Sequence, residues 1–353
     1  MHIEDPAIPL DSTVVVVGVN GYIGVETCEK LLQAGFRVRG TVRDVERHNG
    51  WMHALFDKTW SGRFELVQVR DFQENDAFDD AFQGAAGVIY PSMPIIFDSD
   101  PSKVYDPVIK GVINTLEAAS RAGVKRYVLG SSSKAVHSSV YNKPYELTTD
   151  TWNTDAIKEV RNSSSESATF DRMLAVYSAG RTLAEQAFWQ WVKENDAPFV
   201  ANCVVPDGQF GRVLDVQNLN TGATSSTGQM VRALRGEWEG VPLDLAFVSD
   251  VQDTARLLVA AVASPSIQNE RIFSYSVNRT WNDMRAKVRE LFPGRPGLVT
   301  GQDQDRHGRD VSTALGPISR AEEILRSFGR PGFTGEDEIV KDLVESVFFG
   351  NLE

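Results

Sequence analysis

Residues 13 to 24 read TVVVVGVNGYIG, an apolar, β-branched run that passes directly into a glycine-spaced turn. A run without polar alternation suits a strand covered on both faces. The VETCEKLLQAGF that follows carries its apolar residues at helical spacing, and Gly35 ends the pattern. Strand-like segments recur at 36–42, 64–69, 87–90, 126–129 and in PFVANCVVP, which ends at Pro206. Helical patterns stand between them at 74–82, 103–121 and 170–195. This alternation predicts an α/β chain, a doubly wound parallel sheet with helices on both faces.

Beyond Pro206 the pattern loosens, and Gly, Asn, Thr and Ser dominate residues 217–228. A smaller C-terminal substrate-binding lobe over the carboxyl ends of the strands is the expectation. Residues 246–262, AFVSDVQDTARLLVAAV, read as a strand and helix that pack back on the main sheet. The expected division is a dinucleotide-binding domain over 8–205, with 243–277 returning to it, and a lobe built from 206–242 and 278–353. The patch NSSSESAT at 162–169 reads as a solvated loop.

Gly18, Gly21 and Gly24 lie at the junction of the first strand and helix, with Asn20, Tyr22 and Ile23 between them. Glycines there permit a tight turn and let backbone N–H groups approach a pyrophosphate at the positive end of the helix. The motif follows a strand, opens a helix and begins a βαβ unit, the context that gives it meaning. Arg43 at the end of the second strand can pair with a 2′-phosphate, with Arg47 nearby, so NADP(H) is favoured over NAD(H). Asp71, after the third strand, could reach the adenine amino group.

The formal net charge of −12 and the absence of a Lys/Arg block argue against a nucleic-acid or anionic-membrane partner. Cys28 and Cys203 make no disulfide framework and fit a reducing compartment. The first residues, MHIEDPAIPLDS, lack the apolar core of a signal peptide, and no run approaches a membrane span. A cytoplasmic monomer or homodimer is expected. No H-E-x-x-H or C-x-x-C pattern suggests a metal, and no G-x-S-x-G elbow suggests a serine hydrolase.

Ser131 to Ser133 follow the fifth strand in RYVLGSSSKAV, where open α/β sheets bind ligands. Tyr177 and Arg181 stand one helical turn apart in AVYSAGRTLAE. Together with VRGTVRD, GVIYPSMP, VIKGVINTLEAA, LTTDTWN and FVSDVQDTA, these motifs resemble the extended short-chain dehydrogenase/reductases across most of the chain. Within them the chain looks like the dihydroflavonol reductases and the fungal aldehyde and ketone reductases. The resemblance implies a Rossmann-type fold. It also implies that Ser132 hydrogen-bonds a substrate carbonyl, that Tyr177 protonates its oxygen, and that Pro206 lies among the cofactor-binding residues.

The chemistry asks for such a pair, because hydride addition builds negative charge on the carbonyl oxygen and a positioned phenol can neutralise it. A free phenol holds its proton up to about pH 10, so a cation one turn away is wanted. The family uses lysine there, and this chain has Arg181, which keeps the charge but presents a bulkier, planar fork. Other departures are Val17, Gly130, Arg212 and Tyr90, where the family has Thr, Thr, Pro and His.

The expected function is NADPH-dependent reduction of a small, fairly apolar aldehyde or ketone, aromatic and cyclic substrates included. A non-redox isomerase, epimerase, dehydratase or cyclase, or an NADP(H)-sensing protein, are the alternatives.

Overall fold

The valine run becomes strand β1 (Thr13–Val16), and Val14, Val15 and Val16 are wholly inaccessible to solvent. The computed structural model describes residues 3–163, 168–219, 225–242, 245–305 and 308–350. The first half then alternates through α1 (Tyr22–Ala34), β2 (Arg37–Val42), α2 (Val45–Trp60), β3 (Phe64–Gln68), α3 (Asp79–Phe82), β4 (Gly87–Tyr90), α4 (Ser102–Arg121) and β5 (Arg126–Gly130). Next come α5 (Thr154–Asn162), α6 (Phe170–Glu194), β6 (Val200–Pro206), β7 (Gly208–Phe210) and α7 (Ser226–Arg235). The chain ends with β8 (Ala246–Asp250), α8 (Val251–Ala263), β9 (Arg271–Ser274), β10 (Val277–Arg279), α9 (Trp281–Leu291), α10 (Leu315–Ser327) and α11 (Glu336–Val344).

Seven strands form one parallel sheet in the order β3-β2-β1-β4-β5-β6-β9. The order reverses between β1 and β4, so a crevice opens at the carboxyl ends of those two strands. This is the doubly wound α/β fold of Rossmann type. A second sheet, β10-β8-β7, stands beside the lobe helices α7, α9 and α11. Among the described residues no helix is long and apolar enough to cross a membrane.

Segment 243–277 divides between the layers. Helix α8 packs on α1 and on β4 to β6, and β9 extends the main sheet. Strand β8, however, pairs with β7 and β10 in the second sheet. The C-terminal end of α8 is held by Arg126, whose guanidinium donates to the carbonyls of Ala261, Val262, Ser264 and Ile267 at 2.6–3.2 Å.

Two expected elements differ. Helix α2 runs where the sequence suggested only a turn around Arg47: Asp44 caps it by accepting from Arg47 N, and His48, Met52 and Phe56 bury one face at intervals of four. The helix expected over 74–82 shrinks to α3, because Asp76 adopts a left-handed conformation (φ 61°) that interrupts it. Parts of the expected loops at 162–169 and 217–228, namely 164–167 and 220–224, lie outside the described residues.

Candidate active site

The turn after β1 is shaped for close backbone approach. Gly18 sits at φ 67° and its N–H donates to Thr41 Oγ1 at 3.1 Å, while Gly21 N–H returns to Gly18 O at 3.1 Å. A Cβ on Gly24 would lie 2.7 Å from Gly18 O, so only glycine lets α1 approach the turn this closely. No side chain caps the start of α1, so its N–H groups face the crevice. Ile23 packs into the core, and the Tyr22 hydroxyl donates to Gly211 O at 3.0 Å, tying the helix to the segment after β7.

A cavity of about 920 Å³ opens here, lined by Gly18, Asn20, Thr41, Arg43, Arg47, His48, Tyr90 and Ser92 among others. Arg43 and Arg47 stand at its rim with exposed side chains. Asp44 also lines the cavity, and its Oδ1 accepts from Arg47 N at 3.2 Å to cap α2. Trp51 Nε1 donates to His48 Nδ1 at 3.1 Å, and Asn20 Nδ2 lies 3.2 Å from His48 Nε2. Burial and the Arg47 charge hold the His48 pKa below its ordinary value.

Asp71 is exposed, accepts from Gln73 N at 2.9 Å and does not line the cavity, although Arg70 and Phe72 beside it do. Pro206 is buried at the end of β6 and is also absent from the lining.

Helix α6 carries Tyr177 and Arg181, which stand outside the lining of this cavity. The Arg181 Cζ lies 4.6 Å from the Tyr177 ring centre, and the Phe97 ring stacks on the same tyrosine at 4.9 Å and 5°. Arg181 is buried at 3% exposure. Its Nη2 donates to Met93 O at 3.1 Å and Pro94 O at 2.7 Å, and its Nη1 is buried without a partner among the described residues. Pro94 also lines the cavity, so the guanidinium sits just behind its wall. The glycine turn and the open start of α1 fit a dinucleotide.

The three serines after β5 divide their tasks. Ser131 Oγ donates to Glu185 Oε2 at 2.6 Å, and Glu185 pairs with Arg271 at 2.6 Å, a buried lock between α6 and β9. Ser133 Oγ donates to Asp207 Oδ1 at 2.6 Å, and burial pushes the Asp207 pKa up while the Lys134 charge pulls it back. Lys134 is half-buried. Ser132 accepts from Lys134 N at 3.2 Å, which uses a lone pair and leaves the hydroxyl proton to donate. The turn that Ser132 begins packs against α6.

Several departures acquire physical reasons. Gly130 replaces the family's threonine where a Cβ would lie 2.0 Å from Pro91 O. Arg212, in place of proline, makes a two-pronged ion pair with buried Glu26 of α1 at 2.8 and 2.9 Å and also pairs with Glu29. Asp250 lies against Gly211, with one carboxylate oxygen unpartnered among the described residues; burial, then repulsion from Asp253, raises its pKa to about 7. Sequence reasoning missed Phe97, Glu185, Asp207 and Arg271. A charged residue opening an apolar strand, as Arg271 does in RIFSY, was the one available signal.

Comparisons with known proteins agree with this geometry. The NAD dependent epimerase/dehydratase family matches residues 14–205. Aldehyde reductase 2 of Sporidiobolus salmonicolor is 32% identical over 98% of each chain. Ketoreductase adrE of Penicillium rubens is 33% identical over 94% of this chain and 95% of its own. Among solved structures, Gre2 of Candida albicans in complex with NADPH superposes with a TM-score of 0.79 at 22% identity, covering 97% of this chain and 100% of that one. The chain belongs to the NAD dependent epimerase/dehydratase family, the extended short-chain dehydrogenase/reductases.

Proposed function

We propose that this protein reduces an aldehyde or ketone with NADPH, with Tyr177 as proton donor and Ser132 as hydrogen-bond donor to the carbonyl oxygen. The observations that carry the reading are a phenol paired with a cation on α6, a serine with its proton free at the start of a turn that packs on that helix, and a glycine-turned dinucleotide crevice. When bound, the reduced nicotinamide supplies the hydride. Ser132 donates to the oxygen on which charge develops, and Tyr177 delivers its hydroxyl proton there. Gly18, Gly21 and the start of α1 would hold the pyrophosphate, and Arg43 with Arg47 the 2′-phosphate. The names of the two ketone- and aldehyde-reducing relatives support the reaction class. The Phe97 ring beside Tyr177, with Phe170 stacked on Phe97, supports a fairly apolar substrate.

The test is the purified protein incubated with NADPH and a panel of aliphatic, aromatic and cyclic carbonyls, followed at the nicotinamide absorbance. Stoichiometric NADPH consumption and alcohol formation are expected. Product formed without NADPH loss would replace the reading with a non-redox reaction, and binding without any turnover would sink it.

A further inference from the structure

The segment 91–97, PSMPIIF, crosses from the end of β4 to the face of Tyr177; Met93 is buried in the core, Ile96 packs against two apolar clusters, and Ser92 Oγ donates to Met93 O at 3.3 Å. Among the described residues, positions 93 to 97 make no backbone-to-backbone hydrogen bond, and Ile95 is about half exposed. To this apolar packing Arg181 adds a charged anchor. One nitrogen of its fork donates to two consecutive carbonyls, Met93 O and Pro94 O, and so holds the peptide between them. Three residues on, Phe97 lies almost parallel on Tyr177, and Phe170 stacks on Phe97 in turn at 6.1 Å and 12°. The Arg181 charge lies at 4.6 Å from the same tyrosine ring.

A lysine at this position would keep the charge. Its ammonium, a compact point of charge on a flexible stem, does not reproduce a planar guanidinium held by two carbonyls. We propose that Arg181 is a positioning residue: by anchoring Met93 and Pro94 it seats Phe97 on Tyr177 and so fixes the direction in which the phenol presents its proton. The proposal rests on the reading of Tyr177 as the proton donor, and it gives the arginine a task distinct from holding the cofactor. Misorientation of a reacting group by about 1 Å can cost up to a hundredfold in rate, so an anchor on the tyrosine matters even where it touches neither substrate nor cofactor.

The experiment is a double-mutant cycle of Arg181→Lys and Phe97→Leu, read in two ways. In fluorotyrosine-labelled protein without cofactor, the Tyr177 resonance is assigned by its disappearance in Tyr177→Phe. Both single variants should move that resonance, and the double variant should move it no further. In turnover, each single variant should lose about tenfold in kcat, with the NADPH dissociation constant within about twofold of native, and the losses should not add.

A Tyr177 resonance unmoved by Arg181→Lys, additive losses, or a rise of about tenfold or more in the NADPH dissociation constant of Arg181→Lys would overturn the proposal. If the native protein turns over no carbonyl, the functional reading fails, while the fluorine spectra still decide the anchoring.

Discussion

The two halves of the crevice are built differently. The half beside β1 and β2 is made of contiguous chain and main-chain geometry: a glycine turn at 18–24, a threonine that receives Gly18 N–H, and two arginines exposed at the rim. The half beside α6 is gathered from residues 93, 97, 131–133, 177–185, 207 and 271, and its charges are buried. Exposed charges at a rim are not part of the packed core, so changing them alters the affinity for a charged ligand and leaves the fold in place. Buried charges lean on one another, so changing one disturbs both fold and chemistry. The first half can hold many dinucleotide-dependent reactions, whereas the second selects one.

Tyr177→Phe should separate the halves most sharply. Turnover is expected to fall by about 10²- to 10⁴-fold, the usual worth of a positioned general acid, with NADPH affinity unchanged by titration. A matching loss of affinity would show that the halves are coupled.

Glu185→Ala leaves Arg271 buried without its ion partner and Ser131 without its acceptor. Denaturant unfolding should show a loss of about 3–5 kcal/mol. Arg43→Ala should weaken NADPH by about ten- to a hundredfold and leave NADH binding in place, as measured by fluorescence titration. Equal weakening of both cofactors would mean that Arg43 supports the turn and not the phosphate.

The smallest effect tests the join between the halves. Asp250 is raised to about 7 in the fold, so the folded state favours its proton and stability is lost as pH rises from the ordinary carboxylate range through about 7. Asp250→Asn keeps an oxygen to accept from Gln252 N. The melting temperature of Asp250→Asn should therefore exceed that of the native chain by a few degrees at pH 8, and the gap should close near pH 5.

What could be read in advance divides along the same line. The glycine turn was legible because strand, turn and helix are neighbours in sequence and each glycine answers a local steric demand. Helix α2 was not read, although Asp44 as its cap and His48, Met52 and Phe56 on one face were present; its Arg, His, Asn and Gly content obscured the stripe. The reason for Arg212 was hidden altogether, since its partners Glu26 and Glu29 stand some 180 residues earlier.

The sequence by itself determined the alternation of strands and helices up to Pro206 apart from α2, the parallel sheet that this alternation demands, and the turn where a dinucleotide can lie, because local periodicity and glycine sterics suffice for these. Only the tertiary structure decided that Arg181 turns toward Met93 and Pro94, that Phe97 covers Tyr177, and that Ser132 alone of its three serines keeps a proton to give. Those choices depend on which distant groups come within hydrogen-bond reach once the apolar layers have packed, and no periodicity along the chain encodes that distance.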